Sequence, residues 1–292
     1  MELLTTLYNL MGLVFVIGTI VSMGLGLTIN QITGPLRNAR FVIMAFVLNF
    51  VIPPILAFGL IRVFALDETL SVGLLLVALA AGAPALPKLA EFAKVDTAAA
   101  TGLMVLLVVL TIIVMPVVLP LVLTGISVTF WDIASGLIIL ILVPLAISLF
   151  VRARYPEAAE GALPTFSRAS SISLLFLLVL MIVLNFSDVV SLFGSGGLLA
   201  SLILVALTIG CAYVLGGSAS WVQALGAGQR NIAAAMVVAT MNFGNDEIVM
   251  VVVYSLITMI VMTPLALELG KRGNKLEMAA RARRLPAGDV HD

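Results

Sequence analysis

Long apolar stretches, separated by short polar loops, follow one another along this 292-residue chain. A helix needs about 20 mostly apolar residues to cross the hydrocarbon core of a bilayer, and nine segments of the chain meet that requirement. They cover about 7–29, 41–64, 70–94, 98–123, 133–151, 170–186, 198–215, 223–241 and 247–269, before a tail at 270–292. The pattern therefore predicts an all-α polytopic membrane protein with a single transmembrane domain.

The third segment contains an interruption at residues 82–87, where the sequence reads Gly-Ala-Pro-Ala-Leu-Pro. Two prolines three residues apart cannot occupy an undisturbed helix interior, because proline has no amide hydrogen and its ring clashes with the preceding turn. We predict two half-helices that meet at 82–87, with Lys88 directly after the interruption.

The eighth segment contains a second interruption at 226–228, bounded by Gly226 and Gly228 and followed at once by Arg230 and Asn231. Glycine weakens a helix interior. A charge at membrane depth is expensive and is usually kept towards a cavity or a partner. The stretch is therefore predicted to form one half of a ligand site in a membrane carrier.

The positions of the basic residues predict the orientation, because Lys and Arg accumulate in cytoplasmic loops. Nine helices with the N-terminus outside and the C-terminus in the cytoplasm leave only Arg62 at the outer ends. The inner loops and the tail then carry Arg37, Arg40, Lys94, Arg152, Arg154, Arg168, Lys271, Arg272, Lys275, Arg281, Arg283 and Arg284. We expect a multi-pass protein of a bacterial inner membrane in this orientation.

The nine predicted helices have a hidden symmetry. Helices one to four and six to nine form two sets of opposite orientation, and the broken helix is the third in each set. Interrupted helices at matching positions of inverted repeats indicate a transport site near the midplane. Because irregular backbone at that depth must line a cavity or be buried in protein, we expect 82–87 and 226–230 to cross.

Composition excludes several other classes of protein. The chain is 62% hydrophobic and 10% charged, with no net charge, whereas soluble domains carry roughly 25% charged residues. A nucleic-acid partner is not expected without a basic footprint. Cys211 is the single cysteine and His291 the single histidine, which removes an internal disulfide and most histidine-based chemistry. We expect neither an enzyme nor a cofactor.

Several short motifs, taken in order, resemble the bile acid:sodium symporter family over most of the chain. These are Met23-Gly24-Leu25-Gly26-Leu27, Pro35-Leu36 with Arg40, Asn49-Phe50 with Pro53, Val72-Gly73 to Gly82, Ala93-Lys94, and Gly228 with Asn231. The resemblance implies a core domain of six helices that contains the two crossing broken ones, and a smaller panel domain. It also implies that a small organic anion binds in the cleft between the two domains.

The chain departs from the sodium-coupled members of that family at the positions of their sodium ligands. The matching positions are Leu86, Pro87, Ala100, Met104, Gly226, Arg230 and Asn49. Hard cations prefer several oxygen ligands, and only Asn49 offers a side-chain oxygen here. The resemblance therefore implies a divergent member in which sodium coupling is weakened or lost.

We hypothesise that two tethered cations, Lys88 and Arg230, replace the ions. A guanidinium offers a two-pronged donor to a carboxylate or phosphate, and an ammonium offers a point charge. Either group would stabilise the crossing backbone carbonyls or a bound carboxylate, helped by the partial positive charge of the half-helix N-termini. The predicted substrate-binding residues are Asn49, Pro84, Ala85, Lys88, Gly226, Gly228, Arg230 and Asn231.

Each of these roles has an alternative. Arg230 is alternatively a helix-end arginine that reaches the cytoplasmic surface, and Lys88 alternatively pairs with Glu91 three residues later. Glu91 is the candidate for proton coupling. Asn49 alternatively satisfies backbone groups freed by Pro53-Pro54.

The leading interpretation is a secondary transporter of a small organic anion that works by alternating access. One alternative is a carrier that keeps sodium coupling through backbone carbonyls and Asn49. A non-transporting receptor and an integral-membrane enzyme are alternatives from other classes, and the second is disfavoured because no nucleophile with a base is evident. The sequence leaves the substrate, the coupling ion, the direction of transport and the oligomeric state open.

Overall fold

The computed structural model describes residues 2–28, 37–123, 128–184 and 194–284, and helices make up nearly all of this part of the chain, with no strand within it. The helices are α1 (Glu2–Gly26), α2 (Ala39–Phe46), α3 (Ile52–Val63), α4 (Glu68–Leu79), α5 (Leu86–Ala93), α6 (Thr97–Val122), α7 (Phe130–Leu137), α8 (Val143–Arg154), α9 (Pro156–Leu184), α10 (Gly197–Leu215), α11 (Ser220–Gly228), α12 (Ile232–Asn242) and α13 (Asn245–Arg284). The all-α prediction is confirmed.

Within the described ranges, six continuous helices are long and apolar enough to cross a membrane. They are Thr6–Gly26, Ala39–Val63, Thr97–Val122, Phe130–Arg154, Gly197–Leu215 and Glu247–Gly273. The shorter helix α4 is also apolar. The chain is therefore a multi-pass membrane protein.

Two of these spans contain one widened, π-helical turn. Val47–Val51 joins α2 to α3, and Ile138–Leu142 joins α7 to α8. A proline follows each of them in the first turn of the next helix, at Pro53 and Pro144. Because a proline ring clashes with the carbonyl one turn earlier, a widened turn lets the helix continue past it.

The first interruption lies at residues 80–85, between α4 and α5, two residues earlier than the predicted 82–87. The difference arises at Leu86-Pro87, which form the start of α5. Proline is favourable in a first helical turn, where no intrahelical donor is needed. Gly82 has a φ of 84°, and a Cβ there would lie 2.5 Å from the amide nitrogen of Val108, so only glycine fits.

The second interruption lies at residues 229–231, between α11 and α12, instead of the predicted 226–228. Gly226 and Gly228 are helical, and they permit close packing. A Cβ on Gly226 would lie 2.8 Å from Leu103 Cδ2, and one on Gly228 would lie 2.6 Å from Ile209 Cγ1. The chain leaves the helix only at Gln229, after both glycines.

Other predicted boundaries shift because polar segments join the helices. The sixth helix, predicted at 170–186, begins as α9 at Pro156, and Arg152 of α8 pairs with Glu160 across a 2.9 Å gap between their nitrogen and oxygen atoms. Helix α13 continues through the predicted tail to Arg284. The predicted helix ends at 29 and 186 and the tail from 285 onward lie outside the described residues.

The helices pack in two groups around the interruptions. Helix α1 packs on α8 and α9, while α4 and α5 pack on α13 and α11 packs on α10. The two interruptions are in direct contact, because the amide of Asn231 donates to the carbonyl of Ala80 across 2.8 Å. Thr111 of α6 closes the same region, since its hydroxyl lies 3.0 Å from both the amide nitrogen and the carbonyl oxygen of Ala81.

We expect Thr111→Val to destabilise the protein, because the buried amide and carbonyl of Ala81 would both lose a partner. An unsatisfied buried group costs about 1–3 kcal/mol, so the thermal unfolding midpoint of the purified protein in detergent should fall measurably. Thr208→Val is the matched control. The hydroxyl of Thr208 is equally buried but bonds only to Leu204 and Val205 of its own helix. Equal shifts for the two variants would contradict the assignment.

Candidate functional site

Arg230 lies at the second interruption, and its side chain is 1% exposed. Nε donates to the carbonyl of Val77 across 2.9 Å, and Nη2 donates to the carbonyls of Ala78 and of Asn49, the latter at 3.1 Å. Nη1 lies 3.3 Å from Asn49 Oδ1 and 3.5 Å from the carbonyl of Ala227. None of the ion pairs among the described residues involves Arg230, so carbonyl and amide dipoles surround its charge.

The carbonyls of Val77, Ala78 and Asn49 each lack a helical donor for a local reason. The helix α4 ends at Leu79, which leaves the carbonyls of Val77 and Ala78 without a partner from the next turn. The carbonyl of Asn49 would receive its helical bond from Pro53, or from Pro54 in a widened turn, and neither has an amide hydrogen. One guanidinium therefore replaces the helical donors missing from two different segments.

Helix dipoles add to the attraction. The C-terminal end of α4 supplies Val77 and Ala78, and the C-terminal end of α11 supplies Ala227. A helix C-terminus carries a partial negative charge, so a cation beside it is stabilised. Arg230 lies beside two such ends at once, which gives a buried charge a favourable environment without a carboxylate.

A cavity of about 220 Å³ opens beside the two interruptions. Its walls come from both interruptions and from α1, α5, α9, α12 and α13. The lining residues are Phe15, Thr19, Ala83, Pro84, Ala85, Leu89, Leu174, Gln229, Arg230, Ile232, Ala233, Ser255, Leu256, Met259 and Thr263. An apolar pocket with a few polar groups is typical of a small-molecule site.

The electrostatics of this cavity favour an anion. The N-terminal ends of α5 and α12 both border it. No side chain caps the first turn of α5, whereas Asn231 caps α12 by accepting from the amide of Ala234. Helix N-termini present amide hydrogens and partial positive charge. Gln229 and Thr263 add side chains that can donate hydrogen bonds, whereas the Ser255 hydroxyl already donates to the carbonyl of Val252 across 2.6 Å. A small carboxylate or a similar group would find donors on several sides.

The predicted substrate-binding residues occupy different places. Pro84 and Ala85 line the cavity. Arg230 also borders it, but its guanidinium donates to the backbone carbonyls of the residues described above. Asn49 lies on the far side of that guanidinium and is fully buried. Its Nδ2 donates to the carbonyl of Ala45 across 2.9 Å. Pro53-Pro54 do not free that carbonyl, so the alternative role of Asn49 stays a prediction.

Lys88 is not brought to the cavity. Its ammonium pairs with Glu91 across 2.8 Å, and the two side chains are 59% and 62% exposed. The ammonium also lies 5.0 Å from the ring centre of Phe92. These contacts match the local ion pair that was the alternative for Lys88, since residues three apart share a helix face.

Three more predicted residues act on the backbone. Gly226 and Gly228 lie inside α11 and do not line the cavity. Asn231 begins α12, where its Oδ1 accepts from the amide of Ala234 across 3.1 Å. Its buried Nδ2 has no partner among the described residues. These residues shape the interruption and orient the start of α12.

The positions that match the family's sodium ligands have apolar surroundings. Leu86, Ala100 and Met104 are buried, Pro87 lies in the first turn of α5, and Gly226 packs against Leu103 and Leu86. The remaining side-chain oxygen, Asn49 Oδ1, accepts from Arg230. This donor set does not fit a hard cation, which needs several oxygens.

Sequence reasoning missed four polar residues that line the cavity, namely Thr19, Gln229, Ser255 and Thr263. Gln229 could have been predicted from the sequence, because it directly precedes Arg230 at an interruption. The three hydroxyl residues had none, since serine and threonine also occur in spans where they bond to their own helix. Only the packing of α1 and α13 brings them together.

The comparisons assign the chain to a family of transporters. Residues 11–192 match the family described as the Sodium Bile acid symporter family, which is more than half of the chain. The match includes the first interruption and Asn49 but ends before Arg230. No curated protein matches the chain. Proteins of the matched family are membrane transporters and not enzymes, and the chain belongs to the sodium bile acid symporter family.

Proposed function

We propose that this protein is a secondary carrier of a small organic anion in which Arg230 takes the place of coupling sodium ions. The observation that supports the proposal is the full burial of Arg230 against the carbonyls of Val77, Ala78 and Asn49. The family connects the chain with transport, and the site's chemistry favours an anion.

A fixed guanidinium disfavours sodium at the same place. Two unit charges 4 Å apart repel by about 4 kcal/mol at an effective dielectric constant of about 20. Arg230 also donates a hydrogen bond to Asn49 Oδ1, which is the only side-chain oxygen at the positions that match the family's sodium ligands. A sodium ion would have to compete with a tethered cation for the remaining backbone oxygens.

The proposed cargo is a small carboxylate or a similar anion. The cavity of about 220 Å³ is small, and two half-helix N-termini border it. Gln229 and Thr263 supply donors, while Phe15 and Met259 supply apolar contact. The charged group of a small organic anion would contact the donors, and its apolar part would contact the apolar side chains.

The proposed architecture has nine spans in two inverted sets of four. Three further spans add to the six continuous ones, namely α9 and the two broken pairs, α4 with α5 and α11 with α12. Helices α1, α8 and α9 would form part of the panel, and the broken pairs with α6, α10 and α13 part of the core. Movement between them would expose the cavity to alternate sides, with the N-terminus outside and the C-terminus in the cytoplasm.

We expect uptake to continue without sodium. The full-length protein would be reconstituted into liposomes and tested with radiolabelled mono- and dicarboxylates, chosen by their stabilisation of the purified protein. Replacing external sodium by potassium or choline should leave accumulation unchanged, because no sodium needs to bind. Abolished uptake would contradict the proposal and favour the alternative, a carrier coupled to sodium through backbone carbonyls and Asn49.

We expect Arg230→Gln to lower the unfolding midpoint and to create a response to sodium. Three buried carbonyls lose their donor at about 1–3 kcal/mol each, and a sodium ion can then approach them. Sodium chloride should stabilise this variant more than choline chloride does, while wild type should show no difference. Arg154→Gln, at the exposed end of α8, is the matched control. Intact transport and no sodium response in Arg230→Gln would reduce Arg230 to a packing role.

We expect Ala85→Trp to block uptake and leave the fold intact. Ala85 is exposed at the cavity, so an indole would fill the space without entering the packed core. Ala158→Trp, an exposed alanine on α9 outside the cavity, is the control. Uptake and unfolding midpoint would be measured for both. Normal uptake by Ala85→Trp would remove this cavity from the proposed path.

A further inference from the structure

A second cavity, of about 180 Å³, lies between the start of α2 and the turn that joins α10 to α11. It shares no lining residue with the cavity at the interruptions. Its lining residues are Asn38, Arg40, Phe41, Met44, Leu215, Gly216, Gly217, Ser218, Ala219 and Gln223. None of these residues is acidic, and the proposed transport mechanism uses none of them.

Gln223 makes this cavity unusual. The residue is 1% exposed, and neither its Oε1 nor its Nε2 has a hydrogen-bond partner among the described residues. Burying an amide without a partner costs free energy, and buried polar groups are nearly always paired. Because Gln223 lines the cavity, a polar occupant there would supply the missing partners.

Arg40 and the turn at Gly216-Gly217 also line the cavity. Arg40 is exposed and takes part in none of the ion pairs found in the described ranges. Gly216 has φ −69° and ψ −7°, and Gly217 has a φ of 60°. Successive right- and left-handed residues turn neighbouring amide hydrogens into one concavity, a nest that binds anions. The amide of Gly216 already donates to the carbonyl of Ala212 across 2.9 Å, so only the amides that follow it are available in this turn.

Two helix N-termini meet at the same place. The helix α11 follows the turn at Gly217–Ala219 and has no side-chain cap. The helix α2 begins after Asn38, whose Oδ1 caps it by accepting from the amide of Phe41 across 3.1 Å. Both ends carry partial positive charge. The C-terminal end of α10 at Leu215 borders the same cavity and carries partial negative charge. The preference for an anion therefore comes from the Arg40 guanidinium, the N-terminal end of α11 and the unpaired Gln223 Nε2.

We propose that this second cavity binds a phosphate group. A guanidinium is a two-pronged donor for phosphate, and the turn before α11, the uncapped start of α11 and Gln223 Nε2 add donors beside it. Arg40 lies at the beginning of the apolar span Ala39–Val63, at the level where a lipid headgroup or a dissolved phosphate can enter. The chemistry is the same for both sources.

Binding at this place would act on the transport site through α11. One end of α11 borders the phosphate cavity, and the other end supplies the carbonyl of Ala227 to Arg230. Helix α11 is a short rigid element of nine residues. An occupant that holds its N-terminal end would therefore also fix the position of the second interruption.

The test uses the full-length protein in nanodiscs of phosphatidylcholine, with thermal unfolding as the readout. In one arm phosphatidylglycerol is mixed into the nanodisc, and in the other inorganic phosphate is added at constant ionic strength. Stabilisation by phosphatidylglycerol alone assigns the site to a lipid headgroup, and stabilisation by inorganic phosphate assigns it to a soluble phosphate. No stabilisation in either arm overturns the proposal.

Variants localise the effect. Arg40→Gln and Gln223→Leu should each weaken the apparent affinity for the effective phosphate source by roughly tenfold to a hundredfold, the usual value of a hydrogen bond to a charged group. Arg154→Gln removes an exposed arginine elsewhere and should leave the affinity unchanged. Equal losses in Arg40→Gln and Arg154→Gln would overturn the proposal. If Gln223→Leu does not fold, the exposed position of Arg40 keeps the comparison decisive.

Discussion

The guanidinium of Arg230 satisfies carbonyls that two separate segments leave without donors, and much of the structure depends on that contact. Inside a bilayer every backbone polar group must find a partner within the protein. The end of α4 frees Val77 and Ala78, and the prolines after Asn49 free its carbonyl. Without a buried multiple donor, neither the interruption nor the proline-containing span would be stable at this depth.

The same bonds determine which parts of the protein can move. Arg230 connects the α2–α3 span, the first interruption and the end of α11, and Thr111 connects the first interruption to α6. Breaking these contacts would expose several carbonyls at once, at about 1–3 kcal/mol each. A conformational change is therefore less costly where α1 and α9 meet the cavity, since the contacts there are mostly apolar. The interruptions are best regarded as one rigid unit.

The sequence predicts the elements of this structure better than their junctions. The helical class, the long spans and the presence of two interruptions follow from apolar length, proline and glycine. The predicted positions of the interruptions are wrong by two or three residues, because Pro87 and Gly228 lie inside helices. The partners of Arg230 were beyond prediction, because Val77 and Ala78 contribute only carbonyl oxygens, which every residue has. Lys88 shows a different limit. The sequence pattern places it directly after an interruption, where a site residue is expected, but the structure places it on an exposed face of α5, where it pairs with Glu91.

A tethered cation changes the thermodynamics of the proposed carrier as well as the set of ligands at its ion site. A sodium ion that binds on one side and leaves on the other transfers the free energy of its gradient to the cargo. Arg230 cannot leave, so it stabilises the interruptions equally in every state in which its bonds persist, and a group with equal interactions in two states shifts no equilibrium between them. The driving force of such a carrier must then come from the gradient of the anion itself or from another ion bound elsewhere. In the proposed carrier, arginine in this position would thus keep the architecture of an ion site and remove its role as an energy source.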